Sequence, residues 1–202
     1  SRYKQTNTEL VDINFMRKEK GILKFSKMQG TGDDYIFFNN QCQIITCPES
    51  FAIEFCDRHK GIGGDGIVLI ENSNIADAKM RVFNLDGSDG KMAGNSIRCV
   101  GKFLYDNDIV KKEKITIETA SGVKVLHLFT RDGKVSSATV SMGKAKLNAA
   151  EIPVTWDGEN VINEPYTVDG KEYNITCCSV GNPHCVVFVD NVDKIDIEKT
   201  GP

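Results

Sequence analysis

The feature that most constrains this chain is the stretch from about Asn95 to Asn107, a helical pattern that is apolar nearly all the way round. Ile97, Val100, Gly101 and Leu104 recur at helical spacing on one face, while Cys99 and Phe103 make a second side apolar too. A helix apolar nearly all round is normally buried. Strand-like runs precede it at 23–27, 35–38, 67–71 and 78–84. Others follow at 114–119, 123–129, 136–142, 173–178 and 185–189, all rich in β-branched and aromatic residues between Gly and Asn breaks. Strands on both sides of one buried helix predict a curved sheet wrapped around it. A second helix is expected over 50–58, opened by Pro48 and Glu49, with Phe51, Ala52 and Phe55 on one face. Residues 1–21 are polar and unpatterned and read as an N-terminal extension.

The charge balance excludes several classes. Twenty-five Lys and Arg against 28 Asp and Glu leave a net charge of −3, and no basic block interrupts it, so nucleic acid is not an expected partner. No apolar run approaches the roughly 18 residues of a membrane span, and the N-terminus lacks a signal-peptide core, which predicts a cytoplasmic protein. The seven cysteines are odd in number and form no CxxC pair, so neither a disulfide framework nor a zinc ribbon is indicated. They read as small core residues.

Phe83-Asn84-Leu85-Asp86-Gly87-Ser88, then Met92-Ala93-Gly94-Asn95-Ser96, reads as a loop opening the N-terminus of the buried helix. Such an end offers free N–H groups and a positive partial charge, a ready site for a carboxylate. Gly94 and Asn95 let a ligand approach the backbone, although Asn and Ser are also ordinary helix caps. Ala93, just before the turn, is well placed to act on a bound anion and carries no chemistry. An internal repeat aligns Gly32-Asp33-Asp34-Tyr35 with Gly181-Asn182-Pro183-His184, each leading into an apolar strand, so Asp33 and Asn182 would be pseudo-twofold mates. Asn84 and Asn182 also suit turns, and a histidine such as His184 is most often structural. Gly61-Ile62-Gly63-Gly64-Asp65-Gly66 matches the dinucleotide fingerprint, but a helix precedes it and a strand follows, the reverse of what that fingerprint needs.

These motifs together resemble the diaminopimelate epimerase family over about residues 23–202. Met28-Gln29-Gly30-Thr31-Gly32-Asp33-Asp34-Tyr35 is similar to its first signature, with Asp33 where the family has Asn. The run 57–66 looks like the second, Phe83-Asn84 through Met92-Ala93-Gly94-Asn95 like the third, and Gly181-Asn182-Pro183-His184-Cys185 like the fourth. The resemblance implies an α+β fold of two pseudo-symmetric domains, each a curled mixed sheet around a central helix. The first would span 22–142, and the second, over 143–202, would be incomplete.

It also implies cofactor-independent, metal-free interconversion of LL- and meso-2,6-diaminopimelate in lysine biosynthesis, by two opposed thiols. Asp33, Asn84, Gly94, Asn95 and Asn182 would bind substrate, and His184 would tune a thiol. The family's first catalytic cysteine falls at Ala93. Its second lies in an Ala-Cys-Gly motif absent from these 202 residues. Asp33 and Ala93 are 60 positions apart, so duplicated spacing would put that second thiol about 60 beyond Asn182, near 242. The expectation is therefore an isomerase by family that is inactive with Ala93. The alternatives are another amino-acid racemase of the same fold, or a non-catalytic amino-acid-binding relic. Its partner would be a small amino acid, with no nucleic acid and no membrane. It would act as a homodimer or with a further C-terminal segment.

Overall fold

The computed structural model describes residues 4–12, 22–90 and 94–201, which divide into two compact units, Ser1–Ser141 and Met142–Pro202. The described strands of unit 1 are β1 (Lys4–Asp12), β2 (Ile22–Gly30), β3 (Asp33–Asn39), β4 (Gly66–Glu71), β5 (Ala78–Asn84), β6 (Asp89–Gly90), β7 (Lys114–Thr119), β8 (Gly122–Arg131) and β9 (Lys134–Val140). They form one sheet in the order β1-β2-β3-β4-β5-β7-β8-β9, with the two-residue β6 beside β5. Its helices are α1 (Pro48–Cys56) and α2 (Ser96–Asp106). Pro48 opens α1, where its missing N–H is no loss.

The pairs β3·β4 and β5·β7 are parallel and the others antiparallel. Each parallel pair needs a crossover, and α1 and α2 supply them. β4 and β5 run in opposite senses, yet both crossovers advance the same way across the sheet. Right-handed connections then set the two helices on opposite faces. The cores obey that rule. Phe37, Val68, Ile70, Met80 and Val82 pack with Ile97, Val100 and Leu104 of α2, while Ile36, Phe38, Ile67, Leu69 and Phe83 pack with Phe51, Ala52 and Phe55 of α1. Covered on both sides, β3 and β4 read as continuous apolar runs, whereas β5 alternates, with Lys79 and Arg81 between Ala78, Met80 and Val82.

α2 touches both β2 and β9. In a flat sheet those strands, six places apart, would be separated by about 29 Å, far beyond a helix about 10 Å across. The sheet therefore curls around α2, as the apolar helix requires. Gly101 permits the close approach, since a Cβ there would stand 2.8 Å from Leu128 Cδ2 and 3.0 Å from Leu126 Cδ2.

One expectation is corrected. The segment 1–21 carries β1, which pairs antiparallel with β2 from Lys4↔Gln29 to Asp12↔Ile22. Its polar sequence shows no alternation, so only the pairing with β2 reveals it. The strand expected over 136–142 ends at Val140.

Unit 2 contains a three-stranded antiparallel meander, β10 (Glu164–Val168), β11 (Lys171–Ser179) and β12 (Pro183–Val187), and a short helix α3 (Ile197–Thr200). Its core is small: Ala149, Ile152, Val161, Ile175 and Cys177, with Trp156 and Tyr173 against it. β11 and β2 are both nine residues long. In each, a positive-φ glycine (Gly32 at 99°, Gly181 at 115°) stands two residues past the strand end, before the return strand. The aligned repeat is thus a repeated hairpin.

Candidate functional site

Register brings the N-terminal site residues to one end of the unit 1 sheet. Gly30 faces Asp33 across β2·β3, and Tyr35, Gly66 and Asn84 form one row across β3, β4 and β5. Asn84 thus stands two strands from Tyr35, about 10 Å away. Alternation puts Asp33 and Tyr35 on the same face as Phe37, and Asn84 on the face of Met80 and Val82, which is the α2 face. The start of α2 sits at this end too, because a Cβ on Gly30 would stand 2.9 Å from the Asn95 carbonyl oxygen and 3.4 Å from Cys99 Sγ.

Asn95 occupies the N-cap position of α2, yet its side chain makes no cap hydrogen bond. It turns sideways instead: Asn95 Nδ2 donates to Asp33 Oδ2 at 2.9 Å, and Arg98 Nη2 donates to Asn95 Oδ1. Arg98 Nη2 also donates to Thr31 Oγ1 at 3.0 Å, tying the β2–β3 turn to the helix. The first turn of α2 itself holds no acidic residue, so the carboxylate at the positive helix end is that of Asp33, brought there from β3. Asn84 is a turn residue as well as a candidate ligand, since its Nδ2 donates to Ser88 Oγ at 2.9 Å and its carbonyl accepts from Gly87 N. Ala93, with Lys91 and Met92, lies outside the described residues. Burial pushes the Cys99 thiol up to about 12, so this neighbouring thiol stays protonated and does not replace a reactive one.

Asn182 and His184 belong to unit 2, in the β11–β12 turn and on β12. His184 Nε2 lies 3.2 Å from Asn182 Oδ1, so the two side chains meet each other, and both are exposed.

Two features escaped the sequence reading. Arg98 is three residues beyond Asn95, hence on the same side of the helix, and that spacing was the available signal. On the α1 face, Asp34 receives Lys27 Nζ at 2.8 Å and Arg58 Nη2 at 2.7 Å, while Asp65 accepts from Arg58 Nη2 at 2.9 Å. The glycine-rich loop beside this cluster has its amides engaged. Ile62 and Gly63 N–H donate to Phe55 O, and Gly64 N–H to Cys56 O, so the loop caps the C-terminus of α1. Those donors serve the negative end of a helix, whereas a dinucleotide loop aims them at phosphate.

Burial alone would raise the Asp34 carboxyl, but Arg58 and Lys27 overcome it and hold it near 2, below the usual 3.8. A depressed folded value means the stabilisation is complete above the unfolded value and is lost as pH falls through about 2. Between about pH 4 and 2, the thermal midpoint should fall less steeply in Asp34→Asn than in the parent. Parallel slopes would show that the cluster contributes nothing.

Residues 25–148 match the family model for diaminopimelate epimerase. Among curated relatives named diaminopimelate epimerase, that of Methanococcus maripaludis is 49% identical over 180 residues, covering 89% of this chain and 65% of its own length. The Acetivibrio thermocellus protein is 48% identical over 180 residues, covering 89% and 64%. The chain therefore spans somewhat less than two thirds of these relatives. Among solved structures, a probable proline racemase from Agrobacterium radiobacter K84 superposes with a TM-score of 0.61 at 15% identity, over 89% of this chain and 53% of that one. A hydroxyproline epimerase from Agrobacterium vitis gives 0.59 at 15%, over 89% and 53%. At that identity the likeness concerns the fold alone, and it agrees with the curled sheet around α2. The family match runs through both helices and three of the four motifs, over more than half of the 202 residues, and the chain belongs to the diaminopimelate epimerase family.

Proposed function

We propose that this chain is built to bind 2,6-diaminopimelate and that its family chemistry is cofactor-independent inversion between the LL and meso forms, serving lysine synthesis. With alanine at 93, the 202-residue chain binds without turning over. The observation that carries this reading is the convergence of Asp33, Asn84 and Asn95 on one face, at one end of the sheet, around the start of α2. In this reading the Gly94 and Asn95 N–H groups hold the carboxylate at the reacting carbon. Charge developing on that carbon spreads into the carboxylate and is met by the same donors. Asn84 and Asn182 bind the polar ends of the substrate, and His184 tunes a nearby thiol.

Removing a weakly acidic α-proton without an electron sink needs one base and one acid on opposite faces. Thiols suit both roles, because a helix N-terminus lowers a thiol pKa toward neutrality. Position 93 is where one of them belongs. Alanine there favours a second reading, an amino-acid-binding relic. Asp33 favours a third, a racemase of the same fold whose substrate presents an ammonium at that point. A cytoplasmic setting belongs to the same proposal. So does a homodimer, or association with a further segment.

The test is a titration of isotope-labelled chain with meso-diaminopimelate, followed through backbone amide resonances. The Gly94 and Asn95 amides are expected to move in proportion to ligand. Asp33→Asn should then tighten binding about fourfold, since like unit charges 5 Å apart repel by roughly 0.8 kcal/mol in water. Amide shifts that avoid the start of α2 would overturn the proposal. Weaker binding by Asp33→Asn would point to the ammonium reading.

A further inference from the structure

β11 and β12 bring two thiols face to face, in the hairpin whose tip carries Asn182 and His184. Cys177 pairs directly with Cys185 across the antiparallel ladder, which puts both side chains on the same face of the sheet. The pair is of the close kind. Cys177 N–H donates to Val161 O, and Ser179 N–H to Lys146 O, so this set of β11 amides points away from β12. Opposed residues at such non-hydrogen-bonded positions have Cα atoms about 4.5 Å apart, within the range a disulfide spans and near its lower limit. A bond formed there is strained and so readily reduced. The third thiol nearby, Cys178, faces the other side of β11, opposite His184.

We propose that Cys177 and Cys185 form an oxidisable dithiol that closes to a reversible cross-strand disulfide under peroxide. Exposure assigns the roles. Cys185 is open to solvent, while Cys177 is 5% exposed. Cys185, as thiolate, attacks one oxygen of hydrogen peroxide, the O–O bond breaks, and water leaves after protonation, giving a sulfenic acid. Cys177 then attacks the Cys185 sulfur and loses its proton, and the sulfenic oxygen departs as a second water. Two electrons pass from the thiols to the peroxide and one S–S bond forms. Burial, then the neighbouring Cys185, raises the Cys177 thiol, which keeps it protonated and suits it to the second step. The bond closes a short ring around the hairpin tip that carries Asn182 and His184, pinning its register.

The 202-residue chain is treated with a modest excess of hydrogen peroxide and denatured in guanidinium with iodoacetamide. It is then digested with trypsin and analysed by mass spectrometry without reduction. All three thiols lie in the peptide 172–194. The expected product carries one alkyl group, on Cys178, and is lighter by two hydrogens. Prior reduction with dithiothreitol should return all three alkyl groups. Cys178→Ser should still close the bond. Cys185→Ser, a change at an exposed position checked by circular dichroism, should leave Cys177 fully alkylated. Three alkyl groups after peroxide, a bond through Cys178, or a sulfinic acid on Cys185 with Cys177 free would each overturn the proposal.

Discussion

The 202-residue chain should exchange no α-hydrogen of diaminopimelate in heavy water above a buffer control. On the proposed two-thiol chemistry each absent acid/base group usually costs roughly 10²–10⁴ in rate, and these 202 residues supply neither thiol. Alanine stands at 93, and the Ala-Cys-Gly motif does not occur among the 202 residues. The nearest thiol in α2 offers no substitute, because Cys99 is 1% exposed and held protonated. Restoring Ala93→Cys alone should not restore inversion. A single thiolate can at most remove and return a proton on one face, which exchanges hydrogen without producing the other stereoisomer. Inversion should need both the thiol at 93 and the second thiol, supplied in cis or on another chain. Deuterium uptake by the unaltered polypeptide would remove position 93 from the chemistry.

The parts of this fold that were legible in the sequence are those whose burial leaves a local pattern. α2 declared itself through apolar residues over most of its circumference, broken by the stripe of Arg98, Lys102 and Asp106. β5 and β7 fall on their expected bounds, β5 through the alternation of Ala78, Met80 and Val82 with Lys79 and Arg81, and β7 through its β-branched run Ile115-Thr116-Ile117. The strand β1 left no such trace. Its order comes from backbone pairing with β2, which polar side chains neither favour nor forbid. β10 was equally silent, being five residues long, mostly exposed and interrupted by Pro165. At the site, the helix-opening loop could be read, since small and amide-bearing residues at a helix start have a local meaning. The sideways turn of Asn95 onto Asp33 could not. It depends on Arg98 taking the amide oxygen, and on a contact between residues 62 positions apart. The glycine-rich loop was half legible: the order of helix and strand excluded a dinucleotide fold, but only the coordinates show its amides closing the end of α1.

The largest stability effect should come from Asp106→Ala, expected to cost about 3–5 kcal/mol in urea unfolding, as breaking a buried ion pair does. Asp106 and Lys102 are each 8% exposed and meet at 2.6 Å, Nζ to Oδ2. Both also hold the start of β9: Lys102 Nζ donates to Val135 O at 2.7 Å, and Val135 N–H donates to Asp106 Oδ1 at 2.9 Å. Removing the carboxylate strands a buried ammonium and unpairs that N–H together. The two contributions separate in Lys102→Met with Asp106→Leu, which keeps the volume and removes both charges. If charge were the whole effect, that double variant would equal or exceed the parent. The hydrogen bonds to Val135 predict otherwise, because its N–H and C=O would stay buried without these partners, and a residual loss of about 1–3 kcal/mol should remain. A double variant as stable as the parent would show the pair to be electrostatic ballast. A loss midway between would identify it as the clasp that keeps β9 on α2 and the curled sheet closed at that edge.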